Sequence, residues 1–482
     1  MTSTNFPNAC IIGAGSSGIS ACKELSERNI PFDCFEIGDK IGGNWQFKNK
    51  NKMSSAYRSL HINTSRKMME FKSFPMPDHL SDFPHHTEVA KYFEAYVDHF
   101  NLRPKIRFEH RVEKVEKLGE GLWNVDVSHN GKRFQKKYNM VIVANGHHWS
   151  PKMPDPEFPG IFSGEKFHSH HYIDSRDPID CHGKNIVVLG MGNSAMDIAC
   201  ELSQRTVSNK VFLSIRRPGY VLPKYLFGKP IDALVRHPGD KPKWTEHIFP
   251  NEIKQQIYFK FLSKAINLLM GKPENYGLPT PAHPMSMTHP TISGDIHTRL
   301  VSGDIIPKPN IKNFDHDHVV FTDGSREKAD IIIYATGYNI DFPFLNKNII
   351  DPVDNNIPLF FRLFHPEHTG LAFLGLVQPL CSIIPIAELQ SQWICEYLQG
   401  KYKLPSKKAM HLEAQRLHQS MKKQYVNSKR HTIQIDCTSY SFNLRKELKR
   451  GLSRAKKSQF ALPPFQSIPS PSAPHASMET TH

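Results

Sequence analysis

Twice along the chain a short, wholly apolar run breaks at glycines, continues with the spacing of an amphipathic helix, and ends in a second apolar run. The first instance is "ACIIGAGSSGISACKELSERNIPFDCFEIGD", with Gly13, Gly15 and Gly18 in the break and Glu36 near its far end. The second is "NIVVLGMGNSAMDIACEL", with Gly190, Gly192 and Ala195, followed by the run "VFLSIRRPGY" at 211–220. Short apolar runs read as strands buried on both faces, and the spacing between them as a helix laid across a sheet. Each segment predicts strand, tight turn, helix, strand, the opening of a doubly wound parallel sheet.

Two further apolar runs end in small residues, "NMVIVANG" at Gly146 and "ADIIIYATGY" at Tyr338. Their likeness predicts that the first unit resumes after an insertion. The expected fold class is α/β, with two dinucleotide-binding (Rossmann-like) domains, the second inserted into the first. The first part covers 1–159, the inserted domain 160–325, the returning part with a basic helical end 326–455, and a Pro/Ser-rich disordered tail 456–482. Within the insertion, 220–290 is rich in Pro, Lys and aromatics and predicts helices and loops covering a site. The longest apolar stretch, "LAFLGLVQPLCSIIPIAEL" from Leu371, contains Gln378, two prolines and Glu388, which fits a core segment better than a membrane span.

Composition changes this picture little. The chain has 482 residues, 39% hydrophobic and 22% charged, ordinary values for a globular protein of two or three domains. The first residues lack a basic segment followed by a long apolar run, so no secretory signal is read. Eight cysteines lie at 10, 22, 34, 181, 200, 381, 395 and 437, with no CxxC pair and no zinc-finger spacing. A reduced cytoplasmic protein with buried thiols and no metal is expected. The net charge of +15 is concentrated: residues 401–457 hold sixteen Lys and Arg against three acids. That segment is a candidate for peripheral contact with an anionic membrane surface. No DNA- or RNA-binding motif accompanies it, so no nucleic-acid partner is expected.

The glycine turns carry the chemistry. Gly13 permits the turn, Gly15 lets a pyrophosphate approach the backbone, and Gly18 lets helix and strand pack closely. The turn residues Ala14, Ser16 and Ser17 then face the phosphates at a helix N-terminus. Glu36 can accept hydrogen bonds from both ribose hydroxyls, which a 2′-phosphate would forbid, so the first site calls for FAD or NAD. "EIGDKIGGNW" adds Gly42, Gly43, Asn44 and Trp45, a second close-approach turn of the kind a long flavin nucleotide needs, and favours FAD. The second turn comprises Gly190, Gly192, Asn193, Ser194, Ala195, Met196 and Asp197. The strand after it ends in Ser214, Arg216 and Arg217, with no carboxylate. Guanidinium groups bind phosphate through charge-assisted hydrogen bonds, so the second ligand is expected to be NADPH.

"FSGEKFHSHHY", from Phe162 to Tyr172, matches FxGxxxHxxxY, the signature of class B flavin-dependent monooxygenases. From about residue 8 to about 452 the chain resembles the flavin-containing monooxygenase family. "GAGSSG", "IGGNW", "INTSRKMMEF", "SGEKFHSHHY", "GMGNSAMDIA", "YATGYNIDFPF", "LVQPLCSIIPIAELQ" and "SKRHTIQID" fall in the family's order. The resemblance implies an enzyme of the N,N-dimethylaniline monooxygenase type. In it NADPH reduces FAD, oxygen adds to give a C4a-hydroperoxyflavin, and one oxygen passes to a soft nitrogen or sulfur of a small molecule. It also implies that Asn63, beside Ile62, is the flavin-side catalytic asparagine. Gln378 matches a flavin contact and Val112 a backbone contact to adenine. His168 and Tyr172 match residues organising the linker between domains, and neither His of "NGHH" (Asn145–His148) is read as catalytic. Animal members of the family typically end in a hydrophobic anchor, and this chain ends in a basic helix pattern and a Pro/Ser tail.

Three alternatives stay open on sequence. A Baeyer–Villiger monooxygenase would attack ketones; its signature usually ends in Trp where this chain has Tyr172. An NADPH oxidase would release peroxide without an organic substrate. A sensing scaffold would use the nucleotide folds without turnover.

Overall fold

The computed structural model describes residues 7–233, 235–244, 246, 251–424, 432–458 and 465. The chain first lays down β1 (Ala9–Ile12), β2 (Phe32–Phe35), β3 (Ile106–Arg107) and β4 (Met140–Val143). It then forms β5 (Glu165–His168), β6 (Asn185–Leu189), β7 (Lys210–Ser214), β8 (Ile305–Lys308) and β9 (Ile331–Tyr334) before β10 (Leu371–Phe373). Two five-stranded sheets result, one ordered β10-β4-β1-β2-β3 and the other β8-β7-β6-β9-β5. Every pairing within them is parallel. The second sheet is nested between β4 and β10 of the first, so one dinucleotide-binding unit interrupts the other.

Alternation along the central strands explains why both sheets are covered on both faces. Ala9 and Ile11 enter one core with helix α1 (Ser16–Glu27), the His86–His99 helix and α3 (Ile384–Leu398), numbered after α2 (Asn193–Leu202) of the second unit. Cys10 and Ile12 enter another, beneath the antiparallel strands Arg111–Gly119, Leu122–His129 and Lys132–Tyr138. In the second unit Ile186 and Val188 pack against α2, whereas Val187 and Leu189 face the antiparallel strands at 311–328. The apolar stretch from Leu371 is core, as expected: β10, a turn, then α3 with thirteen buried residues. Among the described residues no helix is long and apolar enough to cross a membrane.

Three expectations need correction or limits. The run at 331–334 was assigned to the resuming first domain from residue 326, but β9 pairs with β6 and β5 in the second sheet. It resembles β4 because it holds the same place in the repeated design, alongside the strand that leads into a glycine turn. The cysteines are not all thiols: Cys381 and Cys437 form a disulfide across 56 residues, and the other six are buried and free. Their distance in sequence conceals a proximity created when Gln378–Pro379 pairs with Gln434–Ile435. The tail assigned to 456–482 lies outside the described residues except for 456–458 and Phe465, whose ring packs on Tyr397.

The 220–290 segment forms short strands, the 225–226/229–230 hairpin and the Asn251–Met270 helix. The basic end forms the Lys407–Gln424 helix and α4 (Cys437–Lys456), with Asp436 capping the latter through the Ser439 N–H at 2.7 Å.

Candidate active site

The first glycine turn leaves β1 at Gly13, whose φ of +103° suits glycine alone, and a Cβ there would stand 2.7 Å from the Ala144 carbonyl oxygen. Gly15 caps α1 without a side-chain hydrogen bond, and no acid lies in the first turn. The N–H groups of Ser16 and Ser17, both half-buried, therefore present the positive end of the helix. Gly43 folds back onto this turn: a Cβ on it would sit 3.2 Å from the Gly15 Cα. Two backbone segments bare of side chains thus meet where a pyrophosphate would run. Gly18 packs on Gly13, a Cβ meeting the Gly13 oxygen at 1.9 Å.

Glu36 lies buried at the end of β2 and accepts the Ala14 N–H at 2.6 Å and the Gly38 N–H at 2.7 Å. Burial raises its carboxyl above the ordinary value, and the two N–H groups oppose that shift. Each oxygen keeps a lone pair for a ribose hydroxyl. Trp45 is half-buried against the core. Asn44 is occupied differently from the sequence expectation: its Oδ1 accepts the Ser55 N–H at 2.8 Å and its carbonyl the Ser54 hydroxyl at 2.7 Å, so it ties down the 54–55 loop. Val112 is buried in its strand, leaving only backbone for a ligand.

Asn63 stands on the loop before the short Arg66–Met69 helix. Its Oδ1 is enclosed and has no hydrogen-bond partner among the described residues. A buried polar atom without a partner forfeits water for nothing, and a bound group that donates a hydrogen bond would satisfy it. Ile62 is buried beside it and accepts a hydrogen bond from Lys224 Nζ at 3.2 Å. Gln378 lies half-buried in the 378–379 strand, its N–H donating to the Ile433 oxygen at 2.8 Å, and the Cys381–Cys437 bridge fastens this segment to α4.

The second turn repeats the first. Gly190 has φ +149°, and a Cβ would meet the Ala335 oxygen at 2.5 Å, matching Gly13 against Ala144. Gly192 caps α2 with no acid in the first turn. Ser194 is half-buried, and Asn193 Oδ1 accepts the Ile292 N–H at 3.1 Å, holding the inserted segment over the turn. Three expected contacts need correction. Ala195 and Met196 are wholly buried in the helix–sheet core, and the Met196 N–H donates to the Gly192 oxygen at 3.1 Å, so both serve packing. Ser214 is wholly buried too; its hydroxyl donates to the Pro309 oxygen at 2.9 Å and its carbonyl accepts the Gly190 N–H at 3.0 Å. In each case the helix or strand pattern placed the residue on the inner face.

Arg216 and Arg217 sit exposed just past β7, and neither pairs with a carboxylate among the described residues. Partial burial and the neighbouring charge of Arg217 lower the Arg216 pKa. Adjacent like charges without a counter-ion fit a site whose anion arrives with the ligand. Asp197 receives a hydrogen bond from the buried Tyr57 hydroxyl, and burial pushes its carboxyl up to about 6.

The signature segment joins the two units. His168 is buried, its Nδ1 accepts the His170 N–H at 3.0 Å, and burial lowers its pKa to about 4, so it is neutral at pH 7. His170 Nε2 lies 3.0 Å from the Lys52 oxygen, and the fully buried Tyr172 packs edge-on against Tyr57. Sequence reasoning missed Tyr57 and Lys224, whose roles arise only from contacts between the two units.

A family model described as flavin-binding monooxygenase-like matches residues 8–451, nearly the whole chain. The chain belongs to this family. As a family member it is an FAD-dependent monooxygenase that uses NADPH. It is 38% identical to flavin-containing monooxygenase 5 of Homo sapiens, over 88% of this chain and 80% of the relative. It is 36% identical to dimethylaniline monooxygenase [N-oxide-forming] 2 of Rattus norvegicus, over 83% of this chain and 75% of the relative. Its fold is similar to that of S-allyl-L-cysteine S-oxygenase from Allium sativum, with TM-score 0.66 and 24% identity over 94% of this chain and 93% of the other. It is also similar to OTEMO crystallised with FAD and NADP, with TM-score 0.69 and 18% identity over 92% and 98%.

Proposed function

We propose that this flavin-binding monooxygenase oxygenates a soft nitrogen or sulfur atom of a small molecule, with the two glycine turns and Asn63 as its cofactor-facing parts. The observation that carries the assignment of residues is the enclosed Asn63 Oδ1, unpartnered among the described residues, in a chain with two glycine turns at helix N-termini. Bound FAD accepts hydride from NADPH and activates oxygen. The chain supplies the rest. The α1 amides and the Gly15–Gly43 approach hold the flavin pyrophosphate, and Glu36 holds its ribose. The α2 N-terminus holds the nicotinamide nucleotide, with Arg216 on its 2′-phosphate and Arg217 beside it. Asn63 accepts a hydrogen bond from the ring or the nicotinamide amide and fixes their mutual orientation. Gln378 closes the flavin side from the returning segment. Removing water from the reaction zone falls to the inserted 220–290 segment.

The test is product analysis with NADPH, oxygen and three probes, an aryl methyl sulfide, a tertiary amine and a cyclic ketone. Sulfoxide or N-oxide formed in step with NADPH consumption supports the reading. Lactone alone, or peroxide alone, contradicts it.

The finer proposal concerns location. We infer peripheral contact of the 401–457 segment with an anionic membrane, a reading supported by an exposed apolar helix face beside that segment. The Asn251–Met270 helix exposes Ile257, Phe261 and Leu268 at helical spacing, 62%, 77% and 86% accessible, with Lys260 and Lys264 exposed among them. The helix packs beside α4, whose Lys446, Lys449 and Arg450 are exposed. An apolar insertion with neighbouring basic charge provides the two signals that firm lipid binding requires.

A further inference from the structure

The loop carrying Asn63 is held on both sides by the inserted unit. On one side Lys224 Nζ donates to the Ile62 oxygen at 3.2 Å. On the other the Ser65 N–H donates to Asp232 Oδ2 at 2.7 Å. The polarity is matched: a cation meets a carbonyl and an anion meets an amide, so each contact is charge-assisted. The Lys224 and Asp232 backbones flank the 225–226/229–230 hairpin, which the Ile231 N–H closes onto the Lys224 oxygen at 3.0 Å. The two contacts therefore belong to one clip.

Further contacts set the clip against the first unit. The Tyr225 hydroxyl donates to Asp82, its ring meets Phe83 edge-on at 5.7 Å, and the Lys224 ammonium lies 5.1 Å from the Phe83 ring centroid. Burial lowers the Lys224 pKa and raises that of Asp232, and Ser65 itself is buried. No carboxylate forms an ion pair with Lys224 among the described residues, although it lies in the field of Asp197 and Asp295. Asp197 is on α2, directly behind the second glycine turn. Lys224, in the field of that carboxylate, thus holds the 62–63 peptide unit while Asp232 holds the 64–65 unit, so the two contacts bracket Asn63.

We propose that Lys224 and Asp232 form a positioning clip by which the NADPH-binding unit sets the orientation of Asn63 toward the flavin. The inference rests on the reading of Asn63 as the flavin-side asparagine. Lys224 and Asp232 act through Asn63 and touch neither substrate nor cofactor in this role. The clip explains why an asparagine on an irregular loop can be held with the accuracy a reaction zone needs, since side chains on loops are otherwise the least fixed.

The experiment uses the FAD-loaded full chain and the variants Lys224→Met, Lys224→Arg, Asp232→Asn, Asn63→Ala and Lys224→Met/Asn63→Ala. Two quantities are measured: hydrogen exchange of the peptide covering 60–66 without turnover, and oxygenated product formed per NADPH consumed. Lys224→Met and Asp232→Asn should each speed exchange across 62–66. Misplacement of one reacting-zone group should lower product per NADPH by roughly fivefold or more, with FAD content retained. Lys224→Arg should restore both. The double variant should be no worse than Asn63→Ala alone, since the clip works only through that residue.

The clip is refuted if exchange at 62–66 is unchanged, if Arg fails to restore it, or if the two losses multiply in the double variant. If Lys224→Met loses its flavin, the milder Asp232→Asn decides by the same criteria. If the wild-type protein forms no oxygenated product, the function reading fails instead, and the exchange result still judges the mechanical link.

Discussion

Gly43 folds against Gly15 so closely that a Cβ on Gly43 would lie 3.2 Å from the Gly15 Cα. One glycine comes from the turn after β1 and the other from the loop after β2, so backbone meets backbone there with no side chain between, where the flavin pyrophosphate is proposed to run. Side chains of even modest size would block it. Gly15→Val should fold, because its φ of −70° suits any residue, yet the purified protein should lack the flavin band near 450 nm. A fully yellow variant would show that the pyrophosphate runs elsewhere.

Arg216 offers a discriminating test of cofactor choice. A hydrogen bond to a charged group contributes about 1.5–3 kcal/mol, so Arg216→Ala should raise KM for NADPH by roughly ten- to a hundredfold. KM for NADH, which lacks the 2′-phosphate, should change little. Steady-state kinetics with both nucleotides decides it, and equal effects on the two would remove Arg216 from the phosphate site.

Asp197 should leave a signature in stability. Its folded carboxyl, raised by burial to about 6, holds its proton more tightly than the unfolded chain does. Between about pH 4 and 6 the folded state therefore binds more protons, and stability falls as pH rises through that window. Asp197→Asn removes this loss while keeping an acceptor for the Tyr57 hydroxyl. The variant's apparent Tm relative to wild type should climb between pH 4.5 and 7. A constant difference would show that Asp197 does not titrate there.

The membrane proposal predicts sedimentation with vesicles containing phosphatidylserine, weakened by salt, and little with pure phosphatidylcholine. Phe261→Asp with Leu268→Asp should abolish it without changing FAD content. Binding that survives both changes would place the contact elsewhere.

Much of this protein could be read from its pattern, and the failures have physical causes. Both glycine turns, Glu36 and the exposed arginines were legible because local periodicity and local backbone demands coincide there. The run at 331–334 was misassigned because four consecutive buried residues identify a central strand but not its sheet. Met196 and Ser214 read as ligand contacts in the glycine-turn pattern, but their positions on α2 and β7 turn them inward. The Cys381–Cys437 bridge and the Lys224–Asp232 clip escaped because residues far apart in sequence meet only after the insertion has folded onto its host. Tyr172, which the signature offers as a hint to substrate class, is buried against Tyr57, so any influence on substrate passes through the domain junction.

In the proposed reaction one chain holds FAD and NADPH face to face and transfers one atom of molecular oxygen to a soft nucleophile. The most direct measurement supplies the purified protein with NADPH, an aryl methyl sulfide and 18O-labelled oxygen gas, then follows NADPH consumption and product mass together. A yellow protein and a sulfoxide carrying one heavy oxygen for each NADPH consumed are expected. A colourless protein that takes up no flavin, or NADPH oxidation that yields only peroxide, would contradict it.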